Sequence, residues 1–109
     1  MRGGSNLTIE ERGEGEHHVL SLAGELDLAA APELDAAVER LCAAGVQELE
    51  IDLQELDFID STGIRSILQA KETCARHGIH FYLVPARRQP QRVFEVAGLL
   101  EVLPWRAAR

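Results

Sequence analysis

Apolar residues along the chain follow two alternating periods. Leu7 and Ile9 alternate with Thr8 and Glu10, and Val19, Leu20 and Leu22 lie within the stretch His17 to Ala23. Spacing of two is the signature of a half-buried strand. Gly13-Glu14-Gly15-Glu16 between them is turn chemistry, so the pair predicts an antiparallel hairpin. From Pro32 the period lengthens, and Leu34, Val38, Leu41 and Cys42 share one helical face. Proline suits the first turn of a helix, where its missing N–H would have had no partner. Gly45 ends this helix.

Val46 to Leu53 returns to strand spacing, with Leu49, Ile51 and Leu53 alternating with Glu48, Glu50 and Asp52. A strand covered on both faces would be apolar throughout. This one predicts helices on one face of a sheet and a partly wet face opposite. Phe58 and Ile59 lead through Asp60-Ser61-Thr62-Gly63 into a second helix carrying Ile64, Ile67, Leu68, Cys74 and Ala75, stopped by Gly78. Ile79, Phe81 and Leu83 predict a fourth strand, broken by Pro85. A third helix runs from Pro90 to Ala97, with Val93 and Phe94 on its apolar side. Leu99 to Leu103 reads as a last edge strand or a helical turn, and Pro104 as the end of the ordered core.

The order β-β-α-β-α-β-α-tail predicts an α/β domain. Strand–helix–strand connections imply parallel pairing through right-handed crossovers. The hairpin adds an antiparallel member, so the sheet should be mixed, with four to five strands and helices mainly on one face. The expected boundaries are residues 1–6 as a disordered or non-native start, 7–103 as the domain, and 104–109 as a C-terminal tail.

Composition narrows the function classes. The 109 residues allow one domain, and 46% of them are apolar, enough for an independent core. Only five are aromatic, so the core must be aliphatic. The formal net charge of −7 repels phosphate backbones and anionic lipid, which argues against nucleic acid and direct membrane contact. Arg87, Arg88 and Arg92 form a local exception too short for a nucleic-acid stripe, and read as a solvated helix start. No apolar run approaches the roughly 20 residues of a membrane span. The start of the chain has no hydrophobic stretch of the secretory kind. Cys42 and Cys74 fall in helical patterns; a disulfide is open to them, and two buried reduced thiols in a cytoplasmic chain are the more ordinary reading.

The densest chemistry lies in Leu56-Asp57-Phe58-Ile59-Asp60-Ser61-Thr62-Gly63-Ile64. Two hydroxyls arrive together at a helix start. One reading is capping, since Asp, Ser and Thr oxygens accept from free N–H groups there. The other makes Ser61 an exposed phosphoacceptor, because a helix N-terminus accommodates phosphate. A phosphate would add about −1.5 to −2 charges and act on a docked partner rather than on the fold.

Phe58-Ile59-Asp60-Ser61-Thr62-Gly63-Ile64 resembles the phosphorylation motif of the STAS-domain anti-sigma-factor antagonists. Gly24-Glu25-Leu26-Asp27 followed by Ala31-Pro32-Glu33-Leu34 resembles that family's second strand, loop and first helix. Gln91-Arg92-Val93-Phe94-Glu95-Val96-Ala97-Gly98-Leu99 resembles its third helix. The likeness runs from about Leu7 to Leu103.

The resemblance implies a bacterial partner-switching protein. In its unphosphorylated form it would bind an anti-sigma factor that is also a serine kinase, releasing a sigma factor. The kinase would phosphorylate Ser61 and a phosphatase would reset it. The implied docking surface comprises Asp27, Asp60, Ser61, Thr62, Gly63 and Arg65, with Thr62 more structural than reactive. No cofactor, metal or catalytic residue is implied, and the free protein is expected to be a monomer. Two positions depart from the family: Arg65 stands where a small residue is common, and Ala30 where Thr or Ser can cap the first helix, a loss of about 1 kcal/mol. The resemblance also covers other roles: a subunit of a phospholipid-trafficking ABC transporter, a scaffold of a stress-sensing assembly, or an anion-transporter domain.

Remaining candidates are weak. His77 and His80 have no third donor at metal-site spacing, and His17-His18 point to opposite faces of a strand. Neither a Gly-x-Ser-x-Gly elbow nor a P-loop occurs.

Overall fold

In the computed structural model, which describes residues 4–108, the hairpin pairs β1 (Leu7–Glu14) antiparallel with β2 (His17–Leu26). The chain continues through α1 (Ala31–Ala43), β3 (Glu48–Ile59), α2 (Ser61–Arg76), β4 (His80–Val84) and α3 (Gln89–Val96). The sheet order is β1-β2-β3-β4, with β2, β3 and β4 parallel. The expected mixed α/β architecture is the observed one.

β3 is longer than its alternation predicts, and the reason lies in its pairing. The register with β2 shifts twice, between Ser21 and Ala23 and between Gly24 and Glu25. Each shift places an extra residue on β3, so Leu53, Leu56 and Ile59 all enter the core at a spacing of three. A period of two therefore ends at Leu53 in the sequence while the strand continues. The extension carries β3 up to the turn that starts α2. β1 also outruns its apolar pattern: Glu10 to Glu14 are exposed and held by backbone pairing across the hairpin.

The core is largely aliphatic, as the few aromatic residues require, with Phe81 and Phe94 inside it. Leu20, Leu22 and Leu26 of β2 and Leu49, Ile51 and Leu53 of β3 pack with Leu34, Val38, Ile67 and Phe94 from the three helices. The opposite face carries Glu48, Glu50 and Asp52. A groove of about 580 Å³ crosses it, lined by residues including Arg12, His17, Glu50, Asp52 and Val84. None of the residues expected at the functional site lines this groove.

The end of the chain is held against the sheet. Residues 104–106, expected in a tail beyond the core, dock on the outer edge of β4. The Leu83 N–H donates to the Pro104 carbonyl at 3.1 Å, and the Arg106 N–H donates to the Leu83 carbonyl at 2.8 Å. Trp105 meets Phe94 edge-on with ring centroids 5.1 Å apart. Arg106 lies 3.6 Å above the Tyr82 ring and pairs with Glu48 and Glu50 at 3.1 and 3.0 Å. This is why Glu50 is buried on an otherwise wet face. At the other end, the Glu25 N–H donates to the Asn6 carbonyl, so the residue before β1 is held too. Residues 1–3 of the expected start, and residue 109 of the expected tail, lie outside the described residues. Trp105→Ala is expected to cost about 2 kcal/mol, visible as a fall of about 10 °C in the thermal midpoint.

Cys42 on α1 and Cys74 on α2 are buried and unbridged, with sulfurs 3.9 Å apart. Burial chiefly, and then the neighbouring Cys42, push the Cys74 thiol from its ordinary 9.0 up to about 12. A thiol that ionises less readily when folded stabilises the fold fully below pH 9 and loses that contribution as pH rises toward 12. The urea midpoint of the wild type should therefore fall across that window. Cys74→Ala should show a flatter dependence over the same range.

Candidate functional site

The parallel strands β2 and β3 end side by side, with Leu26 paired to Ile59. Their C-terminal ends deliver the loop Asp27–Ala30 and the turn at Asp60 to one edge of the sheet. Sequence separation between these two segments disappears here.

Asp60 is the N-cap of α2. Its backbone is extended (φ −117°, ψ −173°), and its carboxylate accepts from the Gly63 N–H at 2.9 Å. Its own N–H donates to the Leu26 carbonyl. Asp60 therefore performs the capping that the sequence left open to three residues. Ser61 is relieved of that duty: it is the first residue of the 16-residue helix, it is exposed, and its hydroxyl has no partner among the described residues. Thr62 is half-buried. The N–H groups of Ser61 and Thr62 have no acceptor within the helix, because a helix leaves its first N–H groups unpaired.

Gly63 is buried, and its role is close approach. A Cβ there would collide with the Leu26 carbonyl oxygen and lie 2.7 Å from Ile59 Cγ1. The helix start is thus seated directly on the two strand ends.

Asp27 lies at the same edge, and one of its carboxylate oxygens is occupied. Oδ1 accepts from the N–H groups of Ala29 and Ala30, each at 3.1 Å. These bonds hold the turn that leads into α1, while Ala30 itself makes no side-chain capping bond. Arg65 is exposed, one turn into α2. Asp27, Asp60, Ser61, Thr62, Gly63 and Arg65 all come from these two adjoining segments.

Two apolar side chains at this edge escaped the sequence reading. Leu28 is 73% exposed and Phe58 is 39% exposed. The available signal for Phe58 was its adjacency to Ile59, since neighbouring strand residues cannot both face the core. Leu28 continues the inward parity of Leu22 and Leu26, and only the end of β2 at Leu26 turns it outward. Arg87, read as part of a solvated helix start, is anchored: it donates to the Gln54 carbonyl and pairs with Glu55, both at 3.0 Å.

The histidines gather no metal-binding group of three among the described residues. His77 bonds the Thr73 carbonyl through Nδ1, and His17 pairs with Glu48. No helix among the described residues is long and apolar enough to cross a membrane.

Comparison with known proteins adds identity to this geometry. The STAS domain family matches residues 8–108. The anti-sigma-B factor antagonist of Staphylococcus aureus is 24% identical over 98 residues, covering 90% of this chain and 91% of that protein. An anti-sigma factor antagonist from Mycobacterium paratuberculosis is 28% identical, with a TM-score of 0.78 over 91% of this chain and 84% of that one. The fold alone recurs more widely: a sulfate transporter family protein from Wolinella succinogenes aligns with a TM-score of 0.70 at 16% identity, over 81% of this chain and 71% of that one. A helix start set on paired strand ends, a family match across nearly the whole length and relatives named as antagonists agree: the chain belongs to the STAS domain family.

Proposed function

We propose that this protein is an anti-sigma-factor antagonist switched by phosphorylation of Ser61. Unphosphorylated, it binds an anti-sigma factor with serine-kinase activity and so frees a sigma factor in the cytoplasm. The kinase then transfers phosphate from ATP to Ser61, the partner leaves, and a phosphatase restores the hydroxyl. The protein itself catalyses nothing.

The observation that carries this reading is the division of labour between neighbours. Asp60 caps the helix and leaves the Ser61 hydroxyl exposed and unbonded. Phosphate added there meets free N–H groups and the positive end of the helix dipole, so the fold tolerates it. A partner seated across Leu28 and Phe58 would instead face a new dianion at its apolar contact. Removing that charge from water is costly, and Asp27 and Asp60 at the same edge add like charge, with the exposed Arg65 one turn along α2 the one cation of the proposed docking set.

The test is incubation with the cognate anti-sigma kinase and ATP, read by mass spectrometry. One phosphate at Ser61 is expected, and none in Ser61→Ala. Ser61→Ala should keep partner affinity, while Ser61→Glu should lose about 30-fold or more, the scale of an interfacial hot spot. Phosphate on Thr62 alone, or full affinity in Ser61→Glu, overturns the reading.

A further inference from the structure

Ile59, the last residue of β3, stands two residues before Ser61. On one side it pairs with Leu26. On the other side it has outrun its neighbour, because β4 ends at Val84, opposite Asp52. One side chain takes the place of the missing strand. Gln89, the first residue of α3, accepts from the Ile59 N–H through Oε1 at 3.1 Å and donates from Nε2 to the Ile59 carbonyl at 3.2 Å. A primary amide presents an acceptor and a donor side by side, as a peptide group does. Gln89 therefore acts as one residue of a mock strand.

The backbone is distorted where this happens. Arg88 has φ 64° and ψ −132°, and is the only non-glycine residue with positive φ among the described residues. These angles match the first central position of a type II′ turn, where glycine dominates. Such conformations persist where their surroundings over-determine them. Gln91 holds the same loop from the other end, accepting from the Ala86 N–H at 2.9 Å.

We infer that Gln89 is a positioning residue for Ser61: its amide clamps the end of β3 so that the Asp60–Ser61 turn offers the hydroxyl in one geometry. Leu26 grips the turn from the β2 side and Gln89 from the β4 side. The consequence for phosphorylation rests on the phosphoacceptor reading of Ser61; the clamp itself does not. Losing it should leave the Leu28 and Phe58 contacts intact and slow the transfer step.

The experiment uses the full chain as wild type, Gln89→Leu and Gln89→Glu. Without any partner, NMR hydrogen exchange should show the Ile59 amide exchanging about ten-fold faster in Gln89→Leu, the scale of one lost hydrogen bond. Gln89→Glu keeps the acceptor and should leave that amide within about three-fold of wild type. An unchanged Ile59 amide in Gln89→Leu overturns the clamp. So does equal acceleration throughout α3, which would mark Gln89 as a mere anchor for that helix. Gln89→Glu remains informative if Gln89→Leu does not fold, since rapid Ile59 exchange in that variant alone contradicts the proposal. With the cognate anti-sigma kinase and ATP, kcat for Ser61 should fall about ten-fold in Gln89→Leu while KM stays within about two-fold. A rise in KM with kcat unchanged overturns the positioning role. A wild-type chain that takes no phosphate, with Ile59 behaving as expected, overturns the phosphoacceptor reading and leaves the clamp standing.

Discussion

Gly63→Ala is expected to destabilise the domain by about 2 kcal/mol and to weaken partner binding at the same time. In an ordinary helix this change would stabilise by up to about 1 kcal/mol, because alanine orders at lower entropic cost. Here the added methyl meets backbone. It would run into the Leu26 carbonyl oxygen and approach Ile59 Cγ1 to 2.7 Å and Leu26 Cγ to 3.0 Å. Neither neighbour can yield, since Leu26 and Ile59 are both essentially inaccessible to solvent. Overpacking against fixed atoms costs about 1–3 kcal/mol, and backbone contact places this site at the upper end. The first turn of α2 must lift away, taking the Asp60 cap and Ser61 with it. Urea unfolding of the variant beside Thr62→Ala measures this. Loss within about 0.5 kcal/mol, the range of ordinary surface changes, would show that the close approach carries no weight.

Leu28→Ala and Phe58→Ala should each weaken binding to the anti-sigma factor by about 2 kcal/mol, roughly 30-fold in Kd, with thermal midpoints nearly unchanged. Stability is spared because these side chains lie largely outside the core, Leu28 at 73% exposure and Phe58 at 39%. Affinity is lost because exposed apolar groups beside a candidate docking site gain from leaving water when a partner covers them. The two effects should not add fully where one partner covers both side chains. Val96, 82% exposed at the far end of α3, provides the control. Titration calorimetry with the three variants separates the patch from general surface hydrophobicity. Wild-type affinity in both Leu28→Ala and Phe58→Ala would remove this edge from the interface.

These outcomes depend on different layers of the molecule. The hairpin, the parallel units and the helix order were legible because burial on one face imposes a period of two on strands and a longer one on helices. Asp60-Ser61-Thr62-Gly63 was legible as a helix start because cap chemistry is local. The length of β3 was hidden, since two register shifts against β2 changed its apolar spacing from two to three. Docking of Trp105 and Arg106 was also hidden. It depends on Phe94, Tyr82, Glu48 and Glu50 converging from α3, β4 and β3.

By itself, then, the sequence determined which segments are strands and helices, that the core is largely aliphatic, and that a hydroxyl stands at the head of the second helix. Those properties depend on neighbours a few positions apart. Only tertiary structure decided that Asp60 and not Ser61 does the capping, that Asp27 spends one carboxylate oxygen on the turn leading into α1, and that Gln89 braces the Asp60 turn from 30 residues away. The two carboxylate bonds are local, but which neighbouring oxygen meets the free N–H depends on backbone angles set where β2 and β3 end. The Gln89 bonds join groups that only the fold brings together, and no periodicity along a chain records that meeting.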